Sequence, residues 1–177
     1  FRSISANFKL KSANTVQKYF GYAEQAYLLF AVGKFERKLK LLEKSPKKIY
    51  CIDNGIVVKN SAGVIEKQGA LLENLVAIEL FRRGVKPYYY ITKGGNETDF
   101  VIVAGEEAKK PVAAIQVCSN PADAETMKRE EKALEQTLIE LKLDKGTVVT
   151  LDFESVKRIG NLEIEYMPAW KWLLETH

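Results

Sequence analysis

The chain has 177 residues, 46% of them hydrophobic, with a formal net charge of +4, two cysteines and one histidine. That length and apolar content suit a folded globular core, and no apolar run approaches the roughly 20 residues of a membrane-spanning helix. Because the single histidine is the last residue, His177, histidine acid/base chemistry, a Ser-His-Asp triad and most zinc sites are excluded.

Cys51 and Cys118 each lie in an apolar strand-like run, KKIYCI and AAIQVCS, which fits reduced, buried thiols and predicts a cytoplasmic protein with no membrane partner. The opening FRSISANFKLK has neither the apolar core nor the cleavage site of a signal peptide. It starts on Phe1 rather than Met, so a fragment with an upstream domain is expected. Residues 1–70 carry 13 Lys+Arg against 5 Asp+Glu, and residues 71–177 carry 14 against 18. A basic module precedes an acidic one.

In chain order, Val16, Tyr19, Phe20, Ala23, Ala26 and Tyr27 recur at helical spacing and predict a helix from Asn14 to Tyr27, capped by Ser12 or Asn14, that passes into a strand at Leu28–Val32. KFERKLKLLEKSPKKIYCIDNG reads as two strand-like stretches joined by a Ser-Pro turn. After the polar stretch Lys59–Gln68, a periodic apolar helix begins at Leu71 and ends at Arg82-Arg83-Gly84. Strands are expected at Lys86–Ile91, Asp99–Val103 and Val112–Cys118, then a long helix from Ala122 to Leu141. The chain closes with a strand at Thr147–Asp152, a hairpin through Gly160-Asn161 and a short helix over Pro168–Leu174 that packs Trp170 and Trp172. Tyr19, Tyr22 and Tyr27, and the run Tyr88-Tyr89-Tyr90, are read as packing residues. The alternation of strands with a crossover helix implies an α/β fold with a mixed central sheet flanked by helices.

Glu73 in GALLENLVAIEL, Glu97 and Asp99 in NETDFVIV, and Gln116 and Cys118 in AAIQVC form an acidic constellation. A two-carboxylate magnesium site needs oxygens converging from separate elements. Asp99 at a strand start, a residue on the next strand and a helical glutamate supply that arrangement. Glu73 and Glu79 lie on different helix faces, so one of them, not both, serves such a site.

The order and spacing resemble the restriction-endonuclease-like, or PD-(D/E)xK, superfamily. More closely, GALLENLVAIEL, ETDFVI, AAIQVC, ETMKREEKAL and MPAWKWLL resemble the C-terminal DUF4143 domain of archaeal and bacterial P-loop ATPases, and KKIYCIDNGI with TVQKYFGYAEQAYLLF resembles the winged-helix segment before it. The resemblance implies a partial winged-helix arm over residues 1–55 and a restriction-endonuclease-like core over residues 56–177. It places Glu73, Asp99, Gln116 and Cys118 at the functional positions. The nucleases of that superfamily carry an acidic residue and a lysine two apart on the third strand, whereas this chain has Gln116 and Cys118. A glutamine adds no charge against a dication, and a thiol does not replace an ammonium. The site therefore reads as degenerate, with no intact catalytic residue. Glu73 and Asp99 remain the candidates for a weak metal site, and Mg²⁺ belongs to the rival reading.

Lys34, Arg37, Lys38, Lys40, Lys44, Lys47 and Lys48 alternate with apolar residues, so a wing hairpin would present them, together with Lys18 on the first helix, to phosphate. No GxxxxGK[ST] loop occurs in the chain, so ATP would bind an upstream domain and this chain needs no cofactor of its own. The expected function is a non-catalytic accessory domain that contacts its own ATPase domain and binds DNA or a protein. The alternatives are a Mg²⁺-dependent nuclease using Glu73, Asp99 and Gln116 with a displaced lysine, and a pure protein-interaction module.

Overall fold

The Ser12 hydroxyl accepts from Thr15 N–H at 3.3 Å and so satisfies one of the donors left open at the start of helix α1 (Ala13–Gln25). The computed structural model describes residues 12–36, 45–60, 68–105 and 110–175. α1 stops short of the expected Tyr27 because that residue turns into the left-handed region, at φ 55°, and leads the chain into strand β1 (Leu29–Lys34).

Strand β2 (Lys48–Cys51) runs antiparallel to β1, with Leu29 opposite Cys51 and Val32 opposite Lys48. Helix α2 (Asn54–Asn60) follows. The sequence reading missed it, because Gly55 and the β-branched run Ile56-Val57-Val58 argue against a helix. Asp53 starts it by accepting Ile56 N–H at 2.9 Å. Helix α3 (Gln68–Arg82) ends as expected, with Gly84 at φ 72° just beyond it. Then come β3 (Tyr88–Ile91), β4 (Glu97–Ala104), β5 (Lys110–Cys118), helix α4 (Ala124–Leu141), β6 (Lys145–Thr150), β7 (Ser155–Ile159), β8 (Leu162–Pro168) and helix α5 (Ala169–Leu174). Asp123 caps α4 by accepting Glu125 and Thr126 N–H, and Gly160, at φ 60°, makes the turn between β7 and β8.

The eight strands among the described residues form one mixed sheet in the order β2-β1-β3-β4-β5-β6-β8-β7. The β1–β3, β5–β6 and β6–β8 pairs are parallel and the rest antiparallel. α4 is the crossover between β5 and β6, as parallel neighbours require. The expected α/β architecture, a mixed sheet flanked by helices, is what the chain adopts. β1 joins the sheet through Gly33 opposite Tyr88 and Lys34 opposite Tyr89, so strands from either side of the boundary drawn at residue 55 belong to the same sheet.

Each face of the sheet carries its own core. On one face Leu72, Val76 and Leu80 of α3 and Trp172 of α5 pack over Phe100, Ile115, Val149 and Met167. On the other, Leu134, Leu138 and Leu141 of α4 pack over Val101, Ala114, Val148 and Ile164. Burying one such leucine contributes about 1.5–3 kcal/mol. Tyr88, Tyr89 and Trp172 are buried as expected, and so are both cysteines. Trp170, Tyr19, Tyr22 and Tyr27 are not: they are exposed, because α1 buries only Val16, Tyr27 sits in the turn after it, and α5 turns only one side to the sheet.

An irregularity in β4 sets up the site. Tyr88 faces Val101 whereas Tyr90 faces Thr98, so β4 holds one residue more than β3 over that span. Such a bulge re-aims side chains. Thr98 turns to α4, where its hydroxyl meets Thr137 at 2.8 Å. Asp99 and Phe100 turn to the other side, toward β2 and α3.

Candidate functional site

Beside this bulge the ladder between β4 and β5 changes character. Its register runs from Ala104 opposite Lys110 to Phe100 opposite Ile115. Beyond that, side chains make the cross-strand bonds. Asp99 N–H donates to Gln116 Oε1 at 3.2 Å, and Val117 N–H donates to Asp99 Oδ2 at 3.0 Å. A cleft of about 440 Å³ opens here between the start of α3, the Gly95–Glu97 turn, the end of β5 and the first turns of α4. Glu73, Glu97, Asp99 and Glu130 line it, with Arg129 at its rim.

The centre of the acidic group is a lysine. Lys48 Nζ lies 2.9 Å from Glu73 Oε1, 2.7 Å from Glu97 Oε1 and 2.9 Å from Asp99 Oδ1. β2 delivers it from the edge of the sheet, and Tyr50, two residues on and so on the same strand face, donates its hydroxyl to Glu73 Oε1 at 2.7 Å. Tyr89 anchors the approach to β2 by donating to Pro46 C=O at 2.7 Å. On the outer side of β2, Asn74 of α3 pairs with both Cys51 backbone groups, accepting its N–H and donating to its C=O, each at 2.9 Å.

The charges follow from this packing. Burial works against the Lys48 ammonium, but Asp99, Glu73 and Glu97 outweigh it and hold its pKa above the ordinary lysine value. Burial first, and then the charge of Glu73, push Asp99 up to about 7 against the pull of Lys48 and Val117 N–H. One ammonium shared among three carboxylates leaves the innermost acid under-compensated, so both shifts are upward. Burial, with Glu73 beside it, also raises the Tyr50 phenol.

Glu73 is therefore the helical carboxylate that meets Asp99. Glu79 is held elsewhere, by Arg82 and Arg83 at 2.7 Å, and the Arg82 hydrogen bond is the main cause that lowers its pKa to about 2. Gln116 reaches across to α4, donating to Glu130 Oε2 at 2.6 Å. Cys118 packs in the core beneath α4, where burial raises its thiol. Among the described residues no three Cys, His, Asp or Glu side chains are grouped as they would be around a metal ion.

The basic residues of the arm divide. Lys48 points into the acidic cluster, and Lys34 pairs with Glu36 at 2.6 Å. Lys18 and Lys47 are exposed. Arg37, Lys38, Lys40 and Lys44 lie outside the described residues. Sequence reasoning placed Lys48 with the phosphate-facing cations and not with the acidic constellation, because it sits in a run of cations, and it missed Tyr50 and Glu130 altogether. The signal for the first two was the alternation of Lys48 and Tyr50 along one strand face.

The model of a family described as a domain of unknown function (DUF4143) matches residues 68–172. An uncharacterized protein of Methanocaldococcus jannaschii is 33% identical over 172 residues, 92% of this chain and 37% of that protein. An uncharacterized protein of Haemophilus influenzae is 26% identical over 167 residues, 90% of this chain and 37% of that protein. The chain thus spans 37% of the length of each of these curated relatives. No solved structure matches it, and among the described residues no helix is long and apolar enough to cross a membrane.

Proposed function

The chain belongs to the DUF4143 family, and from that premise we propose that it is the C-terminal accessory domain of a P-loop ATPase, a restriction-endonuclease-like core that has lost nuclease chemistry and binds DNA or a protein partner. The observation that carries this reading is Gln116. At the third-strand position where a nuclease needs a second carboxylate stands a neutral amide, its oxygen committed to Asp99 N–H and its nitrogen to Glu130. Two residues on, Cys118 is buried beneath α4 and offers no cation. The greater length of both relatives is consistent with a separate nucleotide-binding part. A partial winged-helix arm over residues 1–55 and a cytoplasmic location go with the proposal, and within the described part of that arm exposed Lys18 and Lys47 are available to phosphate.

The test is fluorescence anisotropy with labelled duplex and branched DNA at low and moderate salt. Binding that weakens steeply with salt supports DNA contact through lysines. Absence of DNA binding, together with absence of association between this chain and its ATPase portion, would refute the accessory role. Salt-insensitive binding to a protein partner would favour the interaction-module version, to which the exposed Tyr19, Tyr22, Tyr27 and Trp170 are suited.

One observation favours the rival. Lys48 Nζ, 2.9 Å from Asp99, stands where a displaced nuclease lysine would stand. That reading predicts Mg²⁺-dependent DNA cleavage that is lost in Asp99→Ala.

A further inference from the structure

We propose that Lys48 is the resident cation of the acidic cleft: its ammonium holds Glu73, Glu97 and Asp99 around itself, in an arrangement that is not a metal site while it is there, and in doing so fastens the β1–β2 edge to the core. The inference deepens the non-catalytic reading and rests on it for the cleft's lack of chemistry.

A lysine ammonium has three N–H donors and no acceptor. Here three carboxylates stand at 2.7–2.9 Å from Nζ: Glu73 and Asp99 accept hydrogen bonds from it, and Glu97 is paired with it by charge. A lysine that took a proton from a water would need a free lone pair, and an ammonium held among three carboxylates has none. With the lysine in place the oxygens are also not free for magnesium, which demands a near-octahedral set at about 2.0–2.1 Å and retains several waters. Asp99 Oδ1, Glu73 Oε1 and Glu97 Oε1 are already turned on nitrogen. Asp99 Oδ2 is taken by Val117 N–H, Glu73 Oε1 also accepts Tyr50, and the Gln116 oxygen faces backbone. A dication entering this group would meet the ammonium as a like charge. The lysine also has the advantage of being tethered, because its effective concentration at the site is fixed by the fold and not by the solution.

The same contacts have a mechanical consequence. β2 is the outermost strand on its side of the sheet, where a strand is least held. Lys48 and Tyr50 bind its inner side to α3 and β4, and Asn74 binds its outer side to α3. Withdrawal of β2 would leave three carboxylates facing one another without a counter-ion.

The experiment follows the thermal midpoint of wild type, Lys48→Met and the double variant Lys48→Met/Asp99→Asn during titration with Mn²⁺ and with Mg²⁺. Wild type should not shift. Lys48→Met, with the trio vacated, should rise by roughly 3–6 °C at ten times its dissociation constant, and the added Asp99→Asn should abolish the rise. A wild-type rise that Asp99→Asn removes would overturn the proposal, as would a Lys48→Met protein that no dication stabilises. Should Lys48→Met fold poorly without metal, recovery of its helical circular dichroism on adding Mn²⁺ supports the proposal and failure to recover overturns it. Loss of every DNA and partner contact, with the metal behaviour as expected, would remove the accessory reading and leave the lysine assignment standing.

Discussion

Asn74 offers the sharpest test of how the edge strand is held. It is buried, and besides its two bonds to Cys51 its amide donates to Asn54 Oδ1 at 2.7 Å, so one side chain joins α3, β2 and the start of α2. Asn74→Ala removes the partners of the Cys51 N–H and C=O and of the Asn54 carbonyl. Leaving a buried polar group unpaired costs about 1–3 kcal/mol. Water reaching the sheet edge offsets part of that, so the net loss expected is about 3 kcal/mol, a fall in Tm of roughly 6–12 °C for a chain of this size. The measurement is urea unfolding, paired with the rate at which a thiol reagent labels Cys51 in a Cys118→Ala background. Freeing β2 should lower the midpoint and speed the labelling of Cys51, which is buried in the wild type. Asn74→Asp should be damaged more at neutral pH than in acid, since its carboxylate would face the Cys51 C=O. A stability change below about 0.5 kcal/mol with unaltered labelling would refute the claim that Asn74 holds the strand.

Other expectations follow from burial and charge. Leu138, fully buried on the sheet-facing side of α4, should cost about 2–5 kcal/mol as Leu138→Ala in denaturant unfolding. Trp172→Ala should cost about 3–5 kcal/mol, since it empties a core site stacked under Arg83 at 4.7 Å, whereas Trp170→Ala, at a position 61% exposed, should stay within about 0.5 kcal/mol. Glu79, lowered from 4.5 to about 2, should contribute stability that is present above about pH 4.5 and lost as pH falls through 2; Glu79→Gln should flatten that limb of a pH series of urea midpoints. Asp99, raised from 3.8 to about 7, has the opposite sign: its contribution is greatest below about pH 4 and is lost as pH rises through 7, and Asp99→Asn should remove that decline.

Periodic apolar runs made α3, α4 and the three central strands legible in the sequence, because an amphipathic helix or buried strand writes its period into the chain. The Gly84 and Gly160 turns were readable for the same local reason. α2 was not, because its residues have poor helix propensity and the segment is held by Asp53, by Asn54 donating to Leu71 C=O and by Asn74. The acidic trio was visible as a motif, and the choice between Glu73 and Glu79 turned on tertiary contacts: Arg82 and Arg83 claim one, while Lys48 and Tyr50 claim the other. Lys48 could not be told from its basic neighbours by composition. Only the return of β2 along β1 brings it back to a carboxylate 51 positions further along the chain. The bulge that aims Asp99 at it is likewise a property of strand pairing, which depends on both strands and not on either alone.

With Gln116 and Cys118 on its third strand, this domain is expected to bind without cutting. Supercoiled plasmid incubated with the chain and Mg²⁺ or Mn²⁺ at low salt, then resolved on a gel, tests it most directly. The plasmid should stay supercoiled with wild type and with Asp99→Ala alike. Metal-dependent nicking by wild type that disappears in Asp99→Ala would contradict that and make Lys48 the displaced lysine of a working nuclease.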